Sequence, residues 1–433
     1  MQTPGPARVP TASRVTADTL VELIYDPDAR KTALAVSRFG GLWNIEQEVR
    51  IDTGEVLVPY SATNNLIANG CILLPTGPQD YGQKQDLLQD IRAFLHRHVD
   101  LSPLFEQIAA HYVLLSWVHD AFRELGYLRL RGDYGTGKTR ALLAIGSLCY
   151  RPFFASGAST TSPIFHILDA FGGTLVLDEA DLPASDARAD IVKIFNNGTM
   201  PGIPVLRTLQ NRHKEFNPAA FRVFGPKLIA MRGQFQDRAL ESRFITEETG
   251  LRGLRPDVPI QLPQTLRTEA LGLRNRLLHF RFCEFYNIRT DPSRIVEGIE
   301  PRLNQTALSL LSLVDDPDLR KDIADWLTTE DARLRRDRQS NAEARVLAAL
   351  AQAFAARPTG HVSLGAIEEI LARTSSSEPG FWHSRRTIGH LLRAKLGIAT
   401  LKSGGYFVVP ASERPRVDAL AKRYGFDGTQ ESI

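Results

Sequence analysis

The chain has 433 residues, 43% hydrophobic and 23% charged, with a formal net charge of +3. That length exceeds what one hydrophobic core usually serves and predicts two to four domains, and the composition is ordinary for a globular protein. The slight positive charge is too small to establish a nucleic-acid partner by itself, so local clusters must carry that case. Three cysteines, Cys71, Cys149 and Cys283, are odd in number, far apart and in apolar settings. They predict buried thiols in a reducing cytoplasm and no disulfide framework. No His/Cys grouping has the spacing of a zinc site. Apolar runs such as Leu175–Leu177 are strand-length, well short of the ~20 residues a membrane helix needs. Met1–Arg14 lacks the apolar stretch of a signal peptide. The expectation is a cytoplasmic protein with no membrane partner.

In chain order, residues 1–15 are rich in Pro, Thr and Ala and predict a disordered tail. A short helix is expected over Thr16–Ile24. The apolar segments Ala33–Val36, Gly41–Ile45, Val56–Pro59 and Cys71–Leu74, parted by turn residues, predict a small strand-rich α+β N-terminal domain over 16–80. From Gln83 the period becomes helical, with Leu87, Leu88, Ile91, Phe94 and Leu95 on one face, and a second helix runs from Pro103 through Phe122. The strand Tyr127–Arg131 then opens an alternation of strand and helix that predicts an α/β core with a mostly parallel sheet, within 81–250. Leu266–Asn287, Arg302–Val314 and Asp318–Leu327 read as helices of a lid over 251–330. The charged stretch 331–338 predicts a linker or exposed helix end, within 331–343. A compact unit over 344–433 closes the chain.

The segment Gly132-Asp133-Tyr134-Gly135-Thr136-Gly137-Lys138-Thr139 fits the pattern G-x-x-x-x-G-K-[ST]. It stands between an apolar strand and the helix Thr139–Leu148, the setting this pattern requires. Gly135 and Gly137 let the backbone curl so that its N–H groups face phosphates, and the helix N-terminus adds positive potential. Lys138 is expected to reach the β- and γ-phosphates, Thr139 to ligate magnesium, and Arg140 to extend the nucleotide-binding run. About forty residues on, Gly173-Thr174-Leu175-Val176-Leu177-Asp178-Glu179-Ala180-Asp181 reads as a buried strand ending in carboxylates. Asp178 would hold the magnesium shell and Glu179 would polarise the attacking water. Alone, this segment could equally be a core strand followed by solvated acids; its place after the glycine loop favours the catalytic reading. The cofactors implied are ATP and Mg2+.

The Asp-Glu pair at a strand end resembles the AAA+ group. Pro226–Gly233, followed by Asp237-Arg238-Ala239-Leu240-Glu241-Ser242-Arg243-Phe244, is similar to the sensor-1 strand and the A-L-x-S-R-F motif of ring-forming AAA+ proteins, the minichromosome maintenance (MCM) helicases above all. Tyr112–Glu248, about a third of the chain, also resembles ATPases encoded on plasmids and integrated elements, with "Y-L-R-x-x-G-x-x-G-T-G-K", "T-L-x-L-D-E-A-D", "F-G-P-K-x-I-A" and "A-L-E-S-R". The resemblance implies an α/β P-loop AAA+ core with a helical lid, and it makes Arg243 the arginine finger that reaches a neighbouring subunit. An always-charged planar guanidinium suits the charge developing on a transferred phosphoryl group. Arg238 is the reserve candidate, and a surface arginine paired with Glu241 or Glu247 is the plain alternative. The chain departs from the family where a polar sensor, usually Asn, is expected: Met231-Arg232 stand there, with Arg232 as a charged substitute. Pro301-Arg302-Leu303-Asn304-Gln305 resembles the R-x-L start of the sensor-2 helix, departing at Asn304, and implies that Arg302 contacts the γ-phosphate; a first-turn surface arginine is the alternative.

Two regions point towards DNA. Gly202–Arg207 and Phe221–Phe224 flank a polar basic segment and predict a hairpin over 203–224 with Arg212, His213 and Lys214 at its tip. In MCM-like and superfamily III helicases a hairpin at this place enters the ring pore, which implies the same role here. The C-terminal unit has the order of a winged helix: helices over Ala344–Ala355, Gly365–Arg373 and Ser384–Leu396, then a wing of Ala399–Lys402 and Tyr406–Val409 around Ser403-Gly404-Gly405. Arg385, Arg386 and Arg393 on its third helix could neutralise phosphates. A regulatory or protein-binding winged helix is the competing reading.

The reading that follows is a ring-forming ATP-driven DNA helicase or translocase, a hexamer with single-stranded DNA in its pore and duplex at the winged helix, serving replication of a plasmid, phage or integrated element. The alternative is an ATP-dependent switch that loads another helicase or assembles on DNA, as a replication or transposition regulator.

Overall fold

The computed structural model describes residues 7–38, 41–181, 186–210, 216–235, 237–339, 341–357, 359–374, 384–424 and 426. Contacts divide the chain into two units, Met1–Asp325 and Trp326–Ile433.

The first unit opens with seven strands: β1 (Arg8–Thr11), β2 (Ser13–Val15), β3 (Thr19–Asp26), β4 (Lys31–Arg38), β5 (Leu42–Glu46), β6 (Val49–Arg50) and β7 (Val56–Pro59). Strands β2-β3-β4-β5 form an antiparallel sheet, and β7 pairs in parallel with β1 and antiparallel with β6. Two expectations are corrected here. Residues 7–15 are not a tail, because backbone bonds from Leu23 to Ala12 (2.9 Å) and from Val56 to Ala7 (3.0 Å) hold them in the sheets. Thr16–Ile24 is not a helix: Leu20, Val21, Glu22, Leu23 and Ile24 are all buried in a strand enclosed between β2 and β4. A short apolar run has no period that separates a buried strand from a buried helix. The segment Cys71–Leu74 makes a single bridge, Ile72 to Phe153, and no strand. A short helix, α1 (Asn65–Ala68), precedes it, its start capped by Asn64 Oδ1 accepting from Leu66 N at 3.0 Å. Cys149 is buried as expected, but Cys283 is half-buried and Cys71 exposed, and all three are free thiols.

Helices α2 (Lys84–His98) and α3 (Pro103–Trp117) lead to the α/β core. Ser102 caps α3, its hydroxyl accepting from Phe105 N at 3.3 Å, with Pro103 as the first helical residue. The core elements are β8 (Tyr127–Arg131), α4 (Lys138–Leu148), β9 (Phe153–Ser156), α5 (Thr161–Phe171), β10 (Leu175–Asp178), α6 (Asp186–Asn197), β11 (Val205–Gln210), β12 (Phe216–Phe221), β13 (Lys227–Met231), α7 (Arg238–Glu241) and β14 (Phe244–Glu248). Five of these strands make a fully parallel sheet in the order β14-β8-β13-β10-β9. Covered on both faces, its inner strands are apolar almost throughout, as Leu175-Val176-Leu177 and Leu228-Ile229-Ala230 show. One hydrophobic cluster joins this sheet to the N-terminal strands, Val21, Leu34 and Leu57 packing with Phe165, Leu175 and Phe244. The N-terminal strands therefore share a core with the sheet, where a domain of their own was expected over 16–80.

Helices α8 (Thr265–Glu284), α9 (Pro301–Leu311) and α10 (Pro317–Gln339) follow. Helix α10 runs through the charged stretch at which a linker or an exposed helix end was expected, so the helix end is the alternative realised. Its charges are spaced to pair along a helix: Arg333 with Asp337 at 3.0 Å and Arg335 with Asp331 at 2.6 Å. The second unit contains α11 (Ala342–Ala355), β15 (Val362–Ser363), α12 (Leu364–Thr374), α13 (Arg385–His390), a wider π-type turn over Leu391–Lys395, β16 (Leu401–Ser403), β17 (Tyr406–Val409) and α14 (Arg414–Arg423). Strand β17 pairs antiparallel with both β15 and β16, over a core of Leu347, Leu350, Ile367, Ile388, Leu392 and Val417.

A sealed arginine joins three parts of the first unit. Arg281 on α8 is 0% exposed; it donates to Glu22 on β3 at 2.8 Å, to both oxygens of Asp120 at 2.7 Å and to the Trp117 carbonyl at 2.6 Å. Tyr150 donates to the other Glu22 oxygen at 2.7 Å. Burial alone would raise the Asp120 carboxyl, but the charge and hydrogen bonds of Arg281 outweigh it and hold that group well below the usual carboxylate range. Arg281→Ala would leave two carboxylates without their cation. It should lower the unfolding free energy by about 3–5 kcal/mol, measured by urea titration of the full chain.

Candidate functional site

The glycine loop occupies the C-terminal edge of the parallel sheet, between β8 and α4. Gly137 caps α4 at φ +83°, and Gly135 is also left-handed at φ +72°, so the loop curls back over the helix N-terminus. At Gly132 a side chain is excluded by contact: a Cβ there would lie 2.3 Å from Thr249 Oγ1. The hydroxyls of Thr136 and Thr249 meet at 2.8 Å, joining the loop to the end of β14. Within the loop, Lys138 Nζ donates to the Asp133 carbonyl at 2.5 Å, and Tyr134 is 76% exposed. Arg140 departs from expectation. Its guanidinium donates to the carbonyls of His98 at 2.6 Å and Ile260 at 2.9 Å. It fastens two chain segments beside the loop and is not left free for a phosphate.

The acidic strand end sits against this loop. Thr139 Oγ1 donates to Asp178 Oδ2 at 2.8 Å, which brings together the two expected magnesium ligands. Among the described residues no group of three or more His, Cys, Asp or Glu could hold a metal ion. One hydroxyl and one carboxylate instead suit Mg2+, a hard cation that keeps waters and takes its other oxygens from phosphates. Glu179 is exposed, and its backbone is left-handed at φ +52°, a conformation that costs a non-glycine residue energy and concentrates at functional positions. Asp181, which the sequence reading left without a role, accepts the backbone N–H groups of Arg232 at 2.5 Å and Gly233 at 2.9 Å. Arg232 lies over the Tyr134 ring, 4.4 Å from its centroid, and hydrogen-bonds its hydroxyl. Arg232, expected as a charged sensor, thus touches the glycine loop through an aromatic ring.

Arg243 lies at the opposite edge of the sheet. It immediately precedes β14, whose Phe244 is in register with Tyr127 at the start of β8, while Glu248 is in register with Arg131 at the glycine-loop end. The strand between spans about 13 Å. Arg243 is half-buried and hydrogen-bonds the Asn196 side chain. Its guanidinium pKa is lowered by burial first and then by the nearby positive charge of Arg302. Neither suggested carboxylate partner is available. Glu241 is bidentate to Arg129 at 2.7 Å, and Glu247 accepts from the backbone and hydroxyl of Ser102 at 2.7 and 2.8 Å. The side chain of Arg238, the reserve candidate, lies outside the described residues. Arg302 lies at this same edge. Helix α9 packs on the start of β14, with Thr306 donating to the Ser242 carbonyl at 2.8 Å and Arg302 to the Ala239 carbonyl at 3.2 Å. Arg302 therefore stands beside Arg243, away from this chain's own glycine loop.

Strands β11 and β12 pair antiparallel from Val205↔Phe221 to Gln210↔Phe216, between α6 and β13. Arg212, His213 and Lys214 lie outside the described residues. The base of this hairpin depends on a residue that the sequence reading passed over. Lys227, 0% exposed, donates to the carbonyls of Val223 at 2.8 Å, Gly225 at 2.9 Å and Gly198 at 3.4 Å, and it lies 4.8 Å from the Tyr127 ring centroid. These carbonyls stand on both sides of the hairpin in sequence. In the second unit Arg385, Arg386 and Arg393 are exposed; Arg385 pairs with Glu368 at 2.7 Å and Arg393 donates to Thr400 at 2.7 Å. Burial pushes the Lys227 ammonium down to about 7, against ~10.4 in an unfolded chain. Between these values the unfolded chain binds more protons, so the contribution of Lys227 to stability grows as pH rises. Measured by denaturant titration, the stability of the wild type relative to Lys227→Met should increase from about pH 7 to 10.

No protein-family model and no curated protein matches the sequence. Among the described residues no helix is long and apolar enough to cross a membrane. Solved structures that resemble the chain include the SCCmec type IV Cch active helicase, at 11% identity and TM-score 0.37, covering 94% of this chain and 97% of that one. The NrS-1 C-terminal region matches at 12% identity and TM-score 0.36, covering 90% and 96%. A full-length MCM homologue from Methanopyrus kandleri matches at 12% and 0.33, covering 74% and 76%. Helicases thus stand among the structural neighbours, in loose superposition and at low identity.

Proposed function

We propose that this chain is an ATP-hydrolysing DNA helicase or translocase of the AAA+ type, built as a ring in which each ATP is shared by two copies. The observation that carries this reading is the division of the site between two edges of one parallel sheet. Lys138, Thr139, Asp178 and Glu179 gather at one edge, while Arg243, lacking a carboxylate partner in the positions suggested for it, lies at the other. A guanidinium so placed serves the glycine loop of a second copy more readily than its own.

In such a site the curled backbone of Gly132–Thr139 and Lys138 bind the phosphates. Thr139 and Asp178 would hold Mg2+, which neutralises phosphate charge when bound. The Glu179 carboxylate, presented by its left-handed backbone, orients and polarises the attacking water. Arg232, held by Asp181 and resting on Tyr134, reports the state of the loop to the neighbouring strand. Arg243 stabilises the charge on the transferred phosphoryl in the adjacent subunit, with Arg302 beside it. The hairpin over 203–224, carrying Arg212, His213 and Lys214, would track single-stranded DNA in the pore. The second unit is a winged helix that presents Arg385, Arg386 and Arg393 to nucleic acid; helices α11, α12 and α13 and the three-stranded sheet support that reading, with α14 as an addition. A hexamer that replicates a plasmid, phage or integrated element is the biological setting we assign.

The test is the ATP hydrolysis rate with and without single-stranded DNA. Wild type should be stimulated by DNA. Arg243→Ala should lose about 10³-fold or more while still binding nucleotide, and mixing Arg243→Ala with Lys138→Ala should restore partial activity, since a mixed interface pairs an intact loop with an intact arginine. Glu179→Gln should bind ATP and fail to hydrolyse it. Hydrolysis indifferent to both DNA and Arg243 would replace the motor with a loading or assembly switch.

A further inference from the structure

The second unit contains a groove of about 620 Å3 whose lining includes Arg357, Arg385, Arg386 and Arg393 together with Tyr406 and Phe407. Glu369 is the one carboxylate among the described lining residues. Tyr406 and Phe407 are 66% and 54% exposed. Their position follows from the turn. Ser403 pairs with Tyr406, leaving a two-residue loop of Gly404 and Gly405, left-handed at φ +57° and +87°, and such a loop forms a tight hairpin. The aromatic pair therefore starts β17 at the hairpin tip, while Val408 and Val409 behind it enter the core. The arginines are partly pre-set: Glu368 holds Arg385 and Thr400 holds Arg393.

Two large aromatic faces left in solvent beside four guanidiniums have a particular chemistry. Guanidiniums neutralise phosphates whatever the sequence. Edge-on reading of a duplex uses hydrogen-bonding side chains, because the ring faces of paired bases are covered by their neighbours in the stack. Exposed aromatics instead match base faces that have no such neighbour, and base–aromatic stacking contributes substantially to single-strand binding. We propose that this groove binds the junction between duplex and single-stranded DNA, with the exposed rings of Tyr406 and Phe407, which leave opposite faces of β17, stacking on the first unpaired bases and the arginines, Arg386 and Arg393 foremost, gripping the adjacent phosphates. This rests on reading the chain as a DNA-acting motor and assigns its second unit to the fork.

The experiment uses the full chain without nucleotide. Its probes are a forked DNA with 2-aminopurine at the first unpaired position, a blunt duplex and a single strand. Fork affinity is read by fluorescence anisotropy and stacking by 2-aminopurine quenching. The double variant Tyr406→Ala/Phe407→Ala should weaken fork binding by about 5- to 100-fold and abolish the quenching, with duplex binding nearly unchanged. Tyr406→Phe, which keeps the ring, should behave as wild type and separates loss of stacking from loss of fold. Arg386→Ala/Arg393→Ala should weaken binding to the fork and the duplex alike and flatten its salt dependence. DNA-free ATP hydrolysis should be unchanged in the aromatic variants. The proposal is overturned if the aromatic double variant binds the fork and quenches as wild type does, or if it loses duplex and fork equally. A change in oligomeric state with fork affinity intact would make the aromatic pair a protein contact and also overturn it. DNA stimulation of hydrolysis by the wild type is read separately, so failure of the motor reading is distinguishable from failure of the junction site.

Discussion

Arg129 occupies a place where a charge is costly. It stands on β8, in a parallel sheet covered on both faces, and is 1% exposed. Such a guanidinium is tolerated when its donors are met. Glu241 meets two of them at 2.7 Å, Thr246 meets a third at 3.0 Å, and the Phe244 ring lies 5.1 Å away. Glu241 also accepts the backbone N–H of Phe235 at 2.6 Å. The pair fixes α7 onto the strand that feeds the glycine loop, and Arg243 follows Glu241 by two residues. One strand thus sets both edges of the sheet: its C-terminal end delivers the glycine loop, and its buried arginine anchors the segment that presents the candidate finger.

Two further sealed basic side chains, Arg281 and Lys227, follow the same logic at other joints through the hydrogen bonds they donate. Arg281 brings together the N-terminal sheet, the end of α3 and the long helix α8. Lys227 gathers carbonyls from both sides of the β11–β12 hairpin. An apolar contact at these places would be tolerant of sliding, whereas a buried basic side chain accepts one arrangement of partners and penalises the others. In this chain such residues sit where elements distant in sequence must keep a fixed relation.

That relation bears on the proposed cycle. Asp181 holds the backbone at Arg232, Arg232 rests on Tyr134 of the glycine loop, and β13, which ends at Met231, begins at Lys227 beside the hairpin base. A short chain of contacts therefore runs from the glycine loop along one strand to the hairpin. On the proposed reading this is the route by which the state of the nucleotide is felt at the DNA, and it lies within a single subunit while the arginine finger links that subunit to the next.

Much of the site was legible in the residues because its chemistry is local. A glycine loop between a strand and a helix depends on neighbouring residues, and an apolar strand that ends in Asp178-Glu179 marks the edge of a sheet; the structure brings Thr139 and Asp178 to 2.8 Å. The alternation over 127–245 likewise indicated a parallel sheet. Where pattern was weak, packing decided. Thr19–Asp26 is a strand and not the expected helix because partners on both sides bury it, and between the linker and the helix end left open for the charged stretch, ion pairs at helical spacing select the helix end. The positions of Arg140, Arg302, Arg232 and Lys227 were decided by tertiary packing alone, since each depends on which distant carbonyl, carboxylate or ring comes within hydrogen-bond reach. Sequence by itself marked the glycine loop as the candidate phosphate site. Only the folded sheet, by putting opposite ends of parallel strands about 13 Å apart, decided that Arg243 and Arg302 stand at a different edge from the loop.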